Sequence, residues 1–248
     1  MSTFKYAHDN YLTDETCTVY QGRGHSNGAQ CSPAFKCREC FGGKLCHIPE
    51  KYKIYKVSEF GRVKGEQHMM QEVFQRGPIV CNIAVSEELK NYTSGILSDQ
   101  SKTADISHSV SVVGYGIENG IKYWLVRNSW GSYWGEEGYF RIERGINNLS
   151  IESDCSFAVV DSDLDMYHET TQQEIDDPTN DFSNGPYFFN GVDPLANKNV
   201  KYGGVNIPKE FFEIKVDNLP KFWDWRDVDG RNYLSWNKQQ HAPQYCGG

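Results

Sequence analysis

The sequence predicts an α+β protein whose ordered centre is a small, mainly antiparallel sheet or barrel from about residue 51 to 160. Three local patterns carry that reading. Val110 to Tyr115 and Ile121 to Val126 are β-rich runs flanking Asn119-Gly120, the pair that suits a two-residue hairpin with both central residues at positive φ. Gly138 to Glu143 alternates apolar and polar side chains, as a strand with one wet face does. Glu66 to Arg76 places Met69, Met70, Val73 and Phe74 at helical spacing, and Gly77-Pro78 stops it.

Taken in order, residues 1 to 50 are polar, glycine-bearing and rich in cysteine, so they read as disulfide-stapled loops. The helix at 66–76 follows as a core-facing element, and Ile79 to Val85 is a short apolar strand. Beyond Val160 the pattern dissolves into Asp-Ser-Asp, Thr-Thr-Gln-Gln and Asp-Asp-Pro-Thr-Asn-Asp, where apolar residues are too sparse to offset chain entropy. The expected organisation is therefore a peptide-chain body at 1–160, an acidic linker or pro-segment at 161–218, and renewed order at 219–248, marked by Phe222-Trp223-Asp224-Trp225-Arg226.

Composition bounds the function. The net charge of -8 is mostly local, because Asp161 to Asn197 holds nine carboxylates and no Lys or Arg. The remainder is close to neutral, which argues against nucleic acid as a partner. No segment is long and apolar enough to cross a membrane. Eight cysteines, five of them (Cys17, Cys31, Cys37, Cys40, Cys46) within thirty residues, point to an oxidising compartment. The glycosylation sequons at Asn91 and Asn148 agree with secretion. The expected location is lysosomal or extracellular; since Met1-Ser2-Thr3-Phe4-Lys5 carries no apolar signal run, either the beginning is missing or the compartment reading is wrong.

Chemistry enters at His108 and Asn128, at the two free ends of the hairpin. With 119 paired to 120, Asn128 faces residue 111 and lies within a few residues of His108. Strict alternation puts their side chains on opposite faces, so the strand needs a bulge, for which Gly114 or Gly116 is available. An amide bonded to one imidazole nitrogen fixes the ring's tautomer and leaves the other nitrogen for a thiol.

The surrounding residues resemble a known family. Ser107-His108-Ser109-Val110 with Gly114-Tyr115-Gly116, then Arg127-Asn128-Ser129-Trp130-Gly131 with Trp134-Gly135-Glu136-Glu137-Gly138-Tyr139, are similar to the histidine and asparagine blocks of the papain-like cysteine peptidases. Asp14-Glu15-Thr16-Cys17, Cys37-Arg38-Glu39-Cys40, the Cys81 after Gly77-Pro78, and Glu152-Ser153-Asp154-Cys155 resemble the cathepsin Z (cathepsin X) branch of that family, lysosomal or secreted carboxypeptidases. Leu219 to Arg226 resembles the start of the mature enzyme in that branch. The resemblance implies a papain-like fold, mainly the antiparallel β-barrel half with an incomplete helical half. It implies His108 as general base, Asn128 as its orienting partner, and Trp130 as a substrate-binding residue that also shields their hydrogen bond from water. Gln240 matches the oxyanion-hole glutamine, and His241 the histidine that recognises a substrate's C-terminal carboxylate. It also implies bridges Cys17–Cys37, Cys40–Cys46 and Cys81–Cys155. The implied partner is a peptide or protein with a free C-terminus; no cofactor and no metal are expected.

Two departures shape the expectation of activity. The family's order is reversed here, and the chain stops at Cys246-Gly247-Gly248, before the second cysteine that is the family's nucleophile. Cys31 and Cys246 are then both left without their family partners, although they could pair with each other. Three origins fit: a window across two tandem peptidase units, a circular permutation, or a misassembled gene model. The first and third are favoured, because a permutation that preserved function keeps its nucleophile. The expected function is thus a cathepsin Z-like peptidase region, inactive as this chain alone, with a neighbouring peptidase unit as a partner. Alternatives are Cys246 as nucleophile, a non-catalytic peptide-binding pseudo-peptidase, and a zinc module built on Cys31, Cys37, Cys40, Cys46 and His47.

Overall fold

A computed structural model describes residues 2–17, 20, 32–41, 45–99, 101, 105–161, 165–180 and 214–239. In chain order its elements begin with helices α1 (Ser2–Asp9) and α2 (Pro33–Lys36) and strands β1 (Glu39–Phe41), β2 (Leu45–His47), β3 (Lys51–Lys53) and β4 (Val57–Val63). Next come α3 (Glu66–Gln75), β5 (Ile79–Ala84), α4 (Glu87–Lys90), β6 (Ile96–Leu97), β7 (Ile106–Glu118), β8 (Ile121–Arg127), β9 (Tyr139–Glu143) and β10 (Cys155–Val160). The last elements used below are β11 (Tyr167–Glu169), α5 (Gln172–Ile175) and β12 (Trp223–Asp224). The chain divides into two compact units, one of Met1–Glu59, Val159–Gly203 and Gln240–Gly248, the other of Phe60–Ala158 and Gly204–Gln239.

The first unit has a small core, in which Cys17, Ala34, Cys37, Ile48, Tyr52 and Ile54 cluster under Tyr11 and Met166. So few apolar side chains leave much of the stability to covalent staples. Disulfides join Cys17 to Cys37 and Cys40 to Cys46. The first closes a sequence separation of 20 residues, which on the chain-entropy account is worth about 3 kcal/mol. With Cys37, Cys40 and Cys46 oxidised, their sulfurs offer no thiolates to a zinc ion. The expectation of loops throughout 1–50 misses α1, an eight-residue helix that buries only Ala7. The expectation that order ends at Val160 misses β11, which pairs antiparallel with β3, and α5. A strand that borrows a neighbour's ladder needs no apolar stripe of its own.

The second unit is built on a sheet whose strand order, among the described residues, is β4-β10-β5-β7-β8-β9-β6. The contacts β10–β5, β5–β7, β7–β8 and β8–β9 are antiparallel, and β6–β9 is parallel. The β7–β8 hairpin turns at Asn119 and Gly120, with φ of 51° and 83°, as the Asn-Gly pair requires. β7 outruns the apolar run that announces it at both ends, because β5 pairs with it down to Ile106 and β8 up to Glu118. Trp124, Tyr115, Phe140, Phe157 and Met69 are all fully buried in this unit, and Cys81 is bridged to Cys155 between β5 and β10. α3 buries Met69, Met70 and Val73 as its spacing indicates. It also buries Gln71 and Glu72, whose carboxylate is paired with Arg76 one turn on. No helix among the described residues is long and apolar enough to cross a membrane. Of the two sequons, Asn91 is exposed, whereas Asn148 is only 6% exposed and so presents no acceptor to solvent.

Candidate active site

The geometry starts at an irregularity in the hairpin. Below the turn the pairing is Glu118↔Ile121 through Gly114↔Leu125; past it the register becomes Val112↔Val126 and Ser111↔Arg127. Val113 is the extra residue, so the bulge lies beside Gly114, one of the two glycines available for it. A one-residue shift exchanges the faces of every side chain beyond it. Asn128 thereby comes onto the face of His108, and the imidazole Nε2 lies 2.8 Å from Asn128 Oδ1.

The bulge is occupied from outside. β12 pairs antiparallel with β7 there, Trp223 opposite Tyr115 and Asp224 opposite Gly114. The Trp225 amide donates to the carbonyl of the bulged Val113 at 3.2 Å, and the Trp225 indole N–H to Val73 O at 2.7 Å. Phe74 meets the Trp223 ring edge-on at 4.6 Å.

The protonation pattern follows from the bonds. The Ser129 amide donates to Asn128 Oδ1 at 2.8 Å, which identifies that atom as the oxygen. The oxygen can only accept, so His108 Nε2 carries the hydrogen and, in the neutral ring, Nδ1 keeps its lone pair. Asn128 is 4% exposed. Trp130 stacks on the imidazole at 5.1 Å and 24°, and Trp134 meets Trp130 edge-on at 4.9 Å. Trp134 is held by its indole N–H to Lys90 O, at the C-terminal end of α4.

Burial holds the His108 pKa below its ordinary value of 6.5, and the Asn128 bond offsets only part of that. The sign follows: a folded-state value below the unfolded one contributes stability that is full above the ordinary imidazole range and is lost as pH falls through it. NMR titration of the His108 ring should therefore give a midpoint below that of an exposed histidine. Asn128→Ala, which removes the hydrogen bond that favours the imidazolium, should lower it further; a midpoint that rises in that variant would contradict the assignment.

A second set of contacts stands next to Asn128. The Arg127 guanidinium donates to Asn237 Oδ1 at 2.7 Å, to Ser235 Oγ at 3.3 Å and to Trp236 O. Asn237 in turn donates to Glu137 O at 2.7 Å, and Gln239 forms an antiparallel bridge with Trp130. Sequence reasoning does not single out Arg127, Asn237 or Trp134 as site residues, though Arg127 and Trp134 lie inside the blocks that carry the family resemblance. The sequence-predicted Gln240, His241, Cys31 and Cys246 lie outside the described residues.

A family profile described as papain family cysteine protease matches residues 1–159. Cathepsin Z of Onchocerca volvulus is 39% identical over 164 residues, covering 62% of this chain and 52% of the relative. Pro-cathepsin H of Mus musculus is 43% identical over 97 residues, covering 38% of this chain and 29% of the relative. Among solved structures, digestive procathepsin L 3 of Tenebrio molitor larval midgut is similar with a TM-score of 0.50 and 30% identity, over 64% of this chain and 47% of that one. The chain spans about half the length of Onchocerca volvulus cathepsin Z.

Proposed function

This chain belongs to the papain family of cysteine proteases, and from that premise we propose that it carries the base-and-orienter half of a carboxypeptidase-type cysteine peptidase site, its nucleophilic thiol supplied from outside these 248 residues. The observation that carries the reading is the bond of 2.8 Å from His108 Nε2 to Asn128, under the Trp130 ring. It leaves Nδ1 to take the proton of a thiol. The thiolate then attacks the peptide carbonyl, the amine leaves with the proton that His108 returns, and water releases the acyl group by the same base. By family motif, Gln240 donates to the carbonyl oxygen as it becomes negative, and His241 binds the free carboxylate of the substrate's last residue. Disulfides and family membership agree with a lysosomal or extracellular setting.

The purified chain should leave peptide substrates uncut. Expressed with a papain-like helical half bearing the nucleophilic cysteine, it should hydrolyse peptides with free C-termini and lose that activity in His108→Ala. Hydrolysis by the chain alone that His108→Ala abolishes would overturn the proposal of an external thiol.

A further inference from the structure

Residues 165–180 lie beyond the family match, yet they are tied into the first unit by a regular set of bonds. β11 pairs with β3, placing His168 opposite Tyr52. The Ile54 amide donates to Met166 O at 3.1 Å, and the Thr170 amide to Glu50 O at 2.9 Å. The Ala34 amide donates to Asn180 Oδ1 at 2.9 Å, and the Asn180 side chain donates to Glu174 O at 2.7 Å. α5 has only four residues, too few to hold as an isolated helix, so its order depends on this docking.

At the centre, the His168 imidazole lies against the rings of Tyr11 and Tyr52, at 5.3 and 5.0 Å, whose hydroxyls are 3.1 Å apart. His168 Nε2 is 3.0 Å from both carboxylate oxygens of Glu174, with side chains 22% and 20% exposed. The Thr171 amide and hydroxyl donate to the same carboxylate in a capping box. We propose that His168 and Glu174 form a clasp that tightens on acidification and fastens residues 165–180 to the disulfide-stapled unit.

The physics is local. An imidazole takes up its proton between about pH 8 and pH 5, and its bond to a carboxylate is then charge-assisted and roughly twice as strong. The two tyrosine faces add cation–π attraction that the neutral ring does not have. Of the other charged groups around it, Lys36 Nζ lies over the Tyr11 ring at 5.3 Å, and Lys51 pairs with Glu169 at 3.8 Å. Burial keeps Tyr52 un-ionised throughout. Burial also pushes the Glu174 carboxyl up, but its bonds to Thr171 and His168 outweigh that and hold it below 4.5. Glu174 therefore remains a carboxylate on mild acidification and can meet an imidazolium.

Hydrogen exchange of the whole chain, read by mass spectrometry and corrected for intrinsic rates, tests this at pH 7.5 and 5.5. Peptides from 165–180 should be about fivefold better protected at the lower pH, as expected for a neutral bond becoming a charged one. His168→Gln should keep the protection at pH 7.5 and lose the acid gain; Glu174→Gln should lose it too while retaining a capping side chain. Peptides of the second unit, compared between the parent chain and His168→Gln at the same pH, serve as the folding control. Unchanged or weaker protection at pH 5.5, or an equal gain in His168→Gln, would overturn the clasp.

Discussion

Gly114→Ala is expected to destabilise the second unit by about 2–3 kcal/mol, far more than adding a methyl group to a strand ordinarily does. A Cβ at Gly114 would sit 2.2 Å from the backbone oxygen of Trp223 and 3.2 Å from the Cα of Asp224. Neither is the free end of a side chain, so β12 must leave or the bulge must flatten. Leaving costs the Trp225-to-Val113 and Trp225-to-Val73 hydrogen bonds and the Phe74–Trp223 contact. Flattening restores strict alternation and turns His108 and Asn128 onto opposite faces. Denaturant unfolding followed by tryptophan fluorescence gives the stability, and exchange of the Trp225 amide tells which route the variant takes. Gly116→Ala is the comparison, since its nearest obstacle is the movable ring end of Tyr123, at 2.5 Å, and the loss there should be smaller. Equal stability of Gly114→Ala and the parent would mean that β12 does not close on the bulge.

That bulge also marks how far the sequence could be read. The hairpin was legible because Asn119-Gly120 is one of few pairs that accept positive φ twice in succession, and the helix at 66–75 because its apolar residues repeat at helical spacing. Parity alone demanded a bulge between His108 and Asn128. Its position at Val113 was not legible, because that depends on β12, a partner more than a hundred residues away in the chain. Residues 165–180 failed for the same reason: β11 is stabilised by the edge of β3, a long-range pairing that leaves no periodicity in Tyr167-His168-Glu169. One local signal was present there and went unused, the Thr171-Gln172-Gln173-Glu174 capping box that starts α5. The aromatic support of the site was half legible. Trp130 follows from the family blocks, but the edge-on contact of Trp134 and its anchor on Lys90 O need α4 in place.

Glu152 shows what a motif can conceal, since the Glu-Ser-Asp-Cys block draws attention to its cysteine and not to its carboxylate. Glu152 is 8% exposed and accepts three bonds: from the Trp124 indole at 2.9 Å, the Gly145 amide at 2.6 Å and the Asn147 amide at 3.1 Å. Its own amide donates to Asn147 Oδ1, and its carbonyl accepts from Gly65 at the start of α3. This is the turn in which Asn147, Leu149 and Ser150 take φ of 54°, 48° and 64°, a left-handed backbone that non-glycine residues adopt at a cost. Glu152→Ala should therefore destabilise the unit by about 3–4 kcal/mol, because it strands a fully buried indole donor and two amides and releases the strained turn. Glu152→Gln retains one oxygen for Trp124 and Gly145 but sets an amide donor against the Asn147 N–H, so about 1–2 kcal/mol is expected. Thermal or denaturant unfolding of both variants orders them; an alanine variant no weaker than the glutamine one would refute the hydrogen-bonding role. The effect should reach the candidate site, because Trp124 lies in β8, the strand that delivers Asn128 to His108. In Glu152→Ala, amide exchange along β8 should therefore quicken even under conditions where the unit remains folded.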